Sequence, residues 1–476
     1  MRNPRMMQRV LTAAVLVALG AISGAATEPH ATRPNIVLVM TDDQGYGDAG
    51  YMGHPVLQTP VLDEMAANGL RLDNFRAASP VCSPTRASVL TGRHPTRIGV
   101  FRHGHALRPQ ERTVAALLRE AGYRTGFFGK YHIGSVRDSR PTSPGAHGFD
   151  EWLAAPNFYM NDPWFSHNGK PVQLRGEGSM VTVEAALPFI ARAVHEDKPF
   201  LVFIWTGSPH IPHQATPELQ ALYADQPARL RNYYGEITGV DRAVGRLRDE
   251  LRRLNVEENT LLMFTSDNGG RPQDGSELLH LRGMKGQLWD GGLLVPTLIE
   301  WPGRLAPRPS HFPAGTVDLF ATFLELAGVA LPVDRPLDGV SLVPLLEGEM
   351  HQRPTPLGFW HHEGIAGRLM WSDKILQELQ AVLEAGGQGE INQGTLYGPD
   401  HDYRSLEQSP GHSVWLDPPR KLHELAGGDY LLSNLADDPG ERNNVIADHP
   451  DRAERMKQQL RAWRASCLHS LRGGDY

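Results

Sequence analysis

Between Asn35 and about Gly348, short apolar runs alternate with segments whose apolar residues recur every three or four positions. The runs Ile36–Met40, Arg124–Phe128, Phe200–Trp205, Thr260–Thr265 and Pro296–Trp301 carry β-branched and aromatic residues, as strands buried on both faces do. Helices are predicted between them. One opens at Thr59 as N-cap, with Pro60 in its first turn, and stops at Gly69. Another opens at Thr113, turns Val114, Leu117, Leu118 and Ala121 inward, and stops at Gly122. The pattern predicts an α/β fold, a large and mostly parallel sheet sandwiched by helices.

Pro- and Gly-rich stretches at Arg140–Gly148, Pro302–Gly315 and Ala385–Gly394 read as surface loops. After Leu346-Glu347-Gly348 the alternation fades. What remains legible is a strand near Asp429–Leu432, a turn at Asp437-Asp438-Pro439-Gly440, and a terminal helix with Met456, Leu460, Trp463 and Cys467 on one side. The expected division is therefore a catalytic domain over 33–350 and a smaller α+β subdomain over 351–476. At the other end, Arg2, Arg5 and Arg9 precede the apolar run Val10–Ile22 and the small residues Ser23-Gly24-Ala25-Ala26. That layout predicts a signal peptide over 1–26 and a secreted or periplasmic protein. The run is shorter than the ~20 residues of a spanning helix. An uncleaved anchor is the alternative.

The 476 residues carry a formal net charge of -7. The molecule as a whole does not attract polyanions, and no nucleic-acid partner is expected. Any anion must be captured by a local site. The two cysteines, Cys82 and Cys467, are few for an exported chain. Cys467 fits packing on the terminal helix, and nothing in the sequence favours a disulfide between the two. Cys82 needs another explanation.

Ligands of open α/β sheets bind beyond the carboxyl ends of the strands. Asp42 and Asp43 follow the first predicted strand, Lys130 and His132 the second, His210 the third, and Asp267 and Asn268 the fourth. Singly, an Asp pair after a strand is more often turn or N-cap chemistry, and a loop histidine is more often solvated or structural. Together they predict a site. Asp42, Asp43, Asp267 and Asn268 offer only oxygen, which suits Ca2+ or Mg2+ rather than zinc. In Cys82-Ser83-Pro84-Thr85-Arg86, Pro84 fits a first helical turn with Ser83 as N-cap. Cys82 would then sit at a helix N-terminus, which favours an anion, with the fixed charge of Arg86 one turn along.

Cys82-x-Pro84-x-Arg86, followed by Ala87-Ser88-Val89-Leu90-Thr91-Gly92-Arg93, resembles the signature of the type I, formylglycine-dependent sulfatases of the alkaline-phosphatase-like superfamily. Gly122 through His132, Ser208-Pro209-His210, Ser266-Asp267-Asn268-Gly269, Met284-Lys285-Gly286 and the tail Asn434 to Glu441 are similar to further family motifs. Within the family the chain looks closest to the arylsulfatase A and N-acetylgalactosamine-6-sulfatase group. The resemblance implies hydrolysis of an aryl or saccharide sulfate ester through a formylglycine-sulfate intermediate. Cys82 would be converted to formylglycine by a maturation enzyme. One Ca2+ would be held by Asp42, Asp43, Asp267, Asn268 and residue 82. Arg86 and Lys130 would hold the hydrated aldehyde, and His132 would be the base that releases sulfate. Lys285 and His210 would bind sulfate oxygens, one of them assisting the leaving alcohol.

The substrate is left as a sulfated small molecule or glycan. His103, His105, Trp164, His213, Trp360, His361 and His362 are candidates to line a sugar pocket, with packing as the blander role of each. Two competing readings remain. A phosphatase or phosphonate hydrolase of the same superfamily would use two zinc ions and a Ser or Thr nucleophile. A non-catalytic glycan binder would have no need of Cys82 or His132.

Overall fold

The apolar runs become the centre of a ten-stranded sheet. The computed structural model describes residues 33–476 apart from 363–364, 366, 368–370, 388–394 and 409–410. The predicted signal peptide, and all of the predicted 385–394 loop after 387, lie outside the described residues. In chain order the strands of this sheet are β1 (Asn35–Thr41), β2 (Leu70–Leu72), β3 (Arg124–Lys130), β4 (Glu151–Ala155), β5 (Trp164–His167), β6 (Lys170–Gln173), β7 (Phe200–Trp205), β8 (Thr260–Ser266), β9 (Leu298–Glu300) and β10 (Arg308–Ser310). They are ordered β10-β2-β9-β8-β1-β7-β3-β4-β5-β6. The five from β8 to β4 are parallel. The predicted strand Pro296–Trp301 shrinks to β9 and runs antiparallel to β8. Pro296 has no N–H to give a ladder, which accounts for its exclusion.

The helices are α1 (Pro60–Asn68), α2 (Cys82–Thr91), α3 (Val114–Glu120), α4 (Gly178–His195), α5 (Ala228–Arg253), α6 (Asp318–Leu326), α7 (Ser372–Glu384) and α8 (Pro450–Leu471), besides shorter turns. β1 shows how they form two layers. Ile36, Leu38 and Met40 point to one face and pack with Ala87, Val89, Leu118, Phe320 and Leu376 of α2, α3, α6 and α7. Val37 and Val39 point to the other and pack with Leu62, Ile190 and Val244 of α1, α4 and α5. Burial on both faces is why β1 reads as an unbroken apolar run. Thr113 caps α3 as predicted, accepting from Ala116 N. At α1, Thr59 occupies the N-cap but its hydroxyl donates to Asp63 at 3.0 Å.

A second sheet of four antiparallel strands comes next: β11 (Leu357–His361), β12 (His412–Asp417), β13 (Arg420–Glu424) and β14 (Tyr430–Asn434). Met456 and Leu460 of α8 pack on Trp415, Leu422 and Leu432 of this sheet. Only β14 was legible in the sequence. β13 hides because two of its buried residues are polar: Lys421 Nζ lies 2.6 Å from Asp290 Oδ1, and His423 Nε2 lies 2.6 Å from Glu441 Oε2, all four groups buried. Arg76 donates to the same Asp290 at 2.6 Å and 3.0 Å. Cys82 and Cys467 are both free thiols and buried. Among the described residues no helix is long and apolar enough to cross a membrane.

Candidate active site

Four adjacent parallel strands deliver the polar residues to one edge. β8, β1, β7 and β3 lie side by side, and Asp267, Asp42, His210 and Lys130 stand at or just beyond their carboxyl ends. α2 brings Cys82 and Arg86 over the same edge, and the loop before Asp290 brings Lys285.

α2 departs from the expected start. It begins at Cys82, with Val81 as N-cap and no side-chain cap. Ser83 is not the N-cap; its hydroxyl donates to the carbonyl of His132 at 2.7 Å, tying α2 to the loop after β3. Thr85 instead folds back to the preceding loop, donating to Ser79 O at 2.9 Å. Cys82 therefore stands in the first turn, where unpaired N–H groups favour an anion. The whole helix is buried.

Three acids and three bases form a network of close pairs, with Arg86 also 3.7 Å from Asp42. Arg86 Nη2 lies 2.6 Å from Asp267 Oδ2, Lys130 Nζ lies 2.5 Å from Asp42 Oδ2, and Lys285 Nζ lies 2.5 Å from Asp43 Oδ2. Arg86 also donates to Lys130 O at 3.0 Å and stacks over Trp205 at 5.2 Å. Burial would raise the Asp43 carboxyl, but the charges of Lys285, His210 and Lys130 hold it well below the usual carboxylate range. Burial raises Asp267 to about 6 against the pull of Arg86.

Cys82 and His132 lie beside this array. Burial pushes the Cys82 thiol up, outweighing Lys130 and Lys285. An unmodified thiol there is a poor nucleophile despite its helix N-terminus. Burial, then the charges of Lys130 and Arg86, hold His132 well below the ordinary imidazole value, so it is neutral near pH 7. Both of its ring nitrogens are buried and unpartnered. His210 donates from Nδ1 to Ile211 O at 2.5 Å, which turns Nε2 toward Asp43 at 3.6 Å.

The donor set fits a hard cation. Asp42, Cys82 and Asp267 each present a ligand atom to one small space, as do Asp42, Asp43 and His210. Asp42 Oδ1 and Asn268 Oδ1 are buried without a hydrogen-bond partner, while Asn268 Nδ2 donates to Asp43 Oδ1 at 2.8 Å. Unpartnered buried oxygens are costly unless something takes them up, and a hard cation would. A divalent ion added to three balanced pairs would leave net positive charge, as an anionic substrate requires.

The structure thus brings together Asp42, Asp43, Cys82, Arg86, Lys130, His132, His210, Asp267, Asn268 and Lys285. The sugar-pocket candidates scatter. His105 Nδ1 accepts from Phe101 N and Arg102 N. His213 pairs with Glu236 at 3.0 Å, and His362 with Thr96 at 3.2 Å. Trp360 is buried beneath Arg464, and Trp164 is half-buried against the core. His361 meets Arg102 at 3.0 Å. His103 is tied electrostatically to the site: burial, then Arg102, Lys285 and Lys130, lower it to about 4. One neighbour escaped the sequence reading. Phe158 stacks on His210 with centroids 4.7 Å apart. It lies just after β4, the next parallel strand, which the apolar pattern does not reveal.

Comparison with known proteins agrees with this geometry. The sequence profile described as Sulfatase matches residues 34–329. The N-acetylgalactosamine-6-sulfatase of Canis lupus familiaris is 36% identical over 384 residues, covering 71% of this chain and 71% of that protein. Arylsulfatase A of Homo sapiens is 34% identical over 357 residues, covering 67% of this chain and 68% of that protein. In fold, the crystal structure of Ps i-CgsB in complex with k-i-k-neocarrahexaose superposes with a TM-score of 0.77 at 24% identity, covering 91% of this chain and 93% of that one.

Proposed function

The chain belongs to the sulfatase family and is a sulfuric ester hydrolase, and from that premise we propose that it removes sulfate from an O-sulfated saccharide, with residue 82 as formylglycine and one calcium ion. The observation that carries the reading is the convergence of three acid–base pairs, two of them fully buried, around Cys82 at one sheet edge. The saccharide is favoured by relatives named for a sulfated amino sugar. We further read 33–350 as the catalytic domain, 351–476 as a subdomain, and residues 1–26 as an export signal toward the periplasm or exterior.

Calcium would be held by Asp42, Asp43, Asp267, Asn268 and residue 82, and would supply Lewis-acid polarisation of a sulfate oxygen. Formylglycine, made by a maturation enzyme, would supply a hydrated aldehyde whose two hydroxyls separate attack from release. The chain's own residues do the rest. Arg86 from α2 and Lys130 from the end of β3 would hold residue 82. Lys285 stands at Asp43, placed to take sulfate oxygens or pass a proton to the leaving alcohol, and His210, whose Nδ1 donates to Ile211 O, would do so through Nε2 once protonated. His132 is held neutral with free ring nitrogens, as a base that removes the second hydroxyl's proton must be. Preorganised charge of this kind is usually the largest catalytic contribution.

Replacing Cys82 by Ser tests the reading. Serine keeps one hydroxyl and lacks the second. Incubated with an aryl sulfate, the Cys82→Ser protein should gain one sulfate on residue 82 and stop. Turnover near the wild-type rate would contradict it and favour direct attack by water. Faster hydrolysis of the matching phosphate ester by wild-type protein would favour phosphatase chemistry.

A further inference from the structure

We propose that Trp371 forms a platform for the sugar ring next to the sulfated one. This deepens the saccharide-sulfatase reading and rests on it. Of the nine tryptophans only Trp371 is exposed, at 46%. It meets Phe158 edge-on, with centroids 5.1 Å apart and planes at 75°. Phe158 in turn stacks on His210 at 4.7 Å and 12°. Trp371 is thus two ring contacts from a residue whose Nε2 faces Asp43.

Helix α7 holds the platform in place. Trp371 is its N-cap residue. The adjoining Ser372 accepts from Asn157 N at 2.9 Å, which locks α7 to the residue before Phe158. Leu376 and Leu379 then anchor the helix in the core. An exposed indole tied through Ser372 and Phe158 to the loop beside His210 is positioned to meet a ligand there. Ile211, adjacent to His210, is also exposed, at 42%. The rim beside His210 is therefore apolar, whereas its floor is charged.

That combination suits one class of ligand. The sulfate belongs with Lys285 and His210 on the charged floor. A sugar ring linked to the sulfated residue has an apolar C–H face, and such faces pack on indole, while its hydroxyls stay in water. A small aryl sulfate has no second sugar ring to place on Trp371. The platform would therefore set preference for a glycan over a minimal ester.

Binding measured by calorimetry on the full chain carrying Cys82→Ala, with calcium present, tests this. The probes are inorganic sulfate and a panel of O-sulfated hexosamine and galactose disaccharides with their matching sulfated monosaccharides. With Trp371 intact, at least one disaccharide should bind more tightly than its monosaccharide. Trp371→Ala should reduce that advantage by roughly three- to tenfold. Trp371→Phe should keep most of it, and inorganic sulfate should bind all three proteins alike. An undiminished advantage in Trp371→Ala, or no disaccharide advantage at all, overturns the platform. So does weaker inorganic sulfate binding in Trp371→Ala and Trp371→Phe, which would make Trp371 only a prop for Phe158 and His210. Failure of the Trp371-intact protein to bind inorganic sulfate has a separate signature and overturns the sulfatase reading beneath.

Discussion

Arg86 comes from α2 and Asp267 from the end of β8, yet both Nε and Nη2 of the guanidinium reach a single carboxylate oxygen, at 3.0 Å and 2.6 Å, with both side chains fully buried. The pair joins the helix that carries Cys82 to the strand end that would carry the metal. Removing one partner leaves the other as an uncompensated buried charge. Asp267→Ala should lose about 3–5 kcal/mol of stability in chemical denaturation and nearly all activity. A stable, metal-replete and active variant would show that the pair is dispensable.

Calcium should be removable and should matter to stability as well as rate. Asp42 Oδ1 and Asn268 Oδ1 are the buried oxygens left for it. Elemental analysis should find about one calcium and little zinc per chain. Chelation should abolish turnover, and calcium at about a hundred times its dissociation constant should restore about 2.7 kcal/mol of stability. Two zinc ions would support the phosphatase alternative.

Away from the site, Asp338 fastens α8 to the main body. It accepts from Arg97 Nε at 2.8 Å, from His94 N at 2.6 Å and from Trp463 Nε1 at 2.8 Å. Burial would raise it, but Arg97 holds it down, to about 2 from an ordinary 3.8. A depressed carboxyl stabilises the fold above its unfolded value, and that contribution is lost as pH falls. Asp338→Asn should therefore lack about 2 kcal/mol of acid-dependent stability that wild type loses between about pH 4 and pH 2. Parallel acid-unfolding curves for the two proteins in that window would contradict the assignment.

Gly129 sits immediately before Lys130 with φ +111°, and an added Cβ would lie 1.9 Å from Trp205 O. The clash is with backbone of the neighbouring strand β7, which cannot turn aside. Gly129→Ala should disrupt the β3–β7 ladder at the point that delivers Lys130. Loss of soluble expression, or a melting temperature lowered by several degrees, is expected. A wild-type melting temperature would mean that the ladder can shift without cost.

The centre of the fold was legible because it is chemically monotonous. β1, β7 and β8 are buried on both faces and so are written as apolar runs, and Asp42 and Asp267 mark where β1 and β8 end. Ser83 was misplaced because its hydroxyl has a better acceptor, His132 O, far away in sequence. β13 was missed because buried Lys421 and His423 look like surface residues until Asp290 and Glu441 are seen opposite. Phe158 and Trp371 carry no spacing signal. They meet only because α7 packs back onto the loop after β4.

In the proposed mechanism catalysis turns on residue 82, whose thiol is buried and raised in pKa, so that as cysteine it is ill-suited to attack sulfur. Peptide mass spectrometry of fully active protein from a maturation-competent host tests this most directly. The peptide spanning Cys82 is predicted to carry an aldehyde in place of the thiol, to form a hydrazone with hydrazide reagents, and to do so in proportion to specific activity. An unmodified Cys82 thiol throughout a fully active preparation would contradict the formylglycine mechanism.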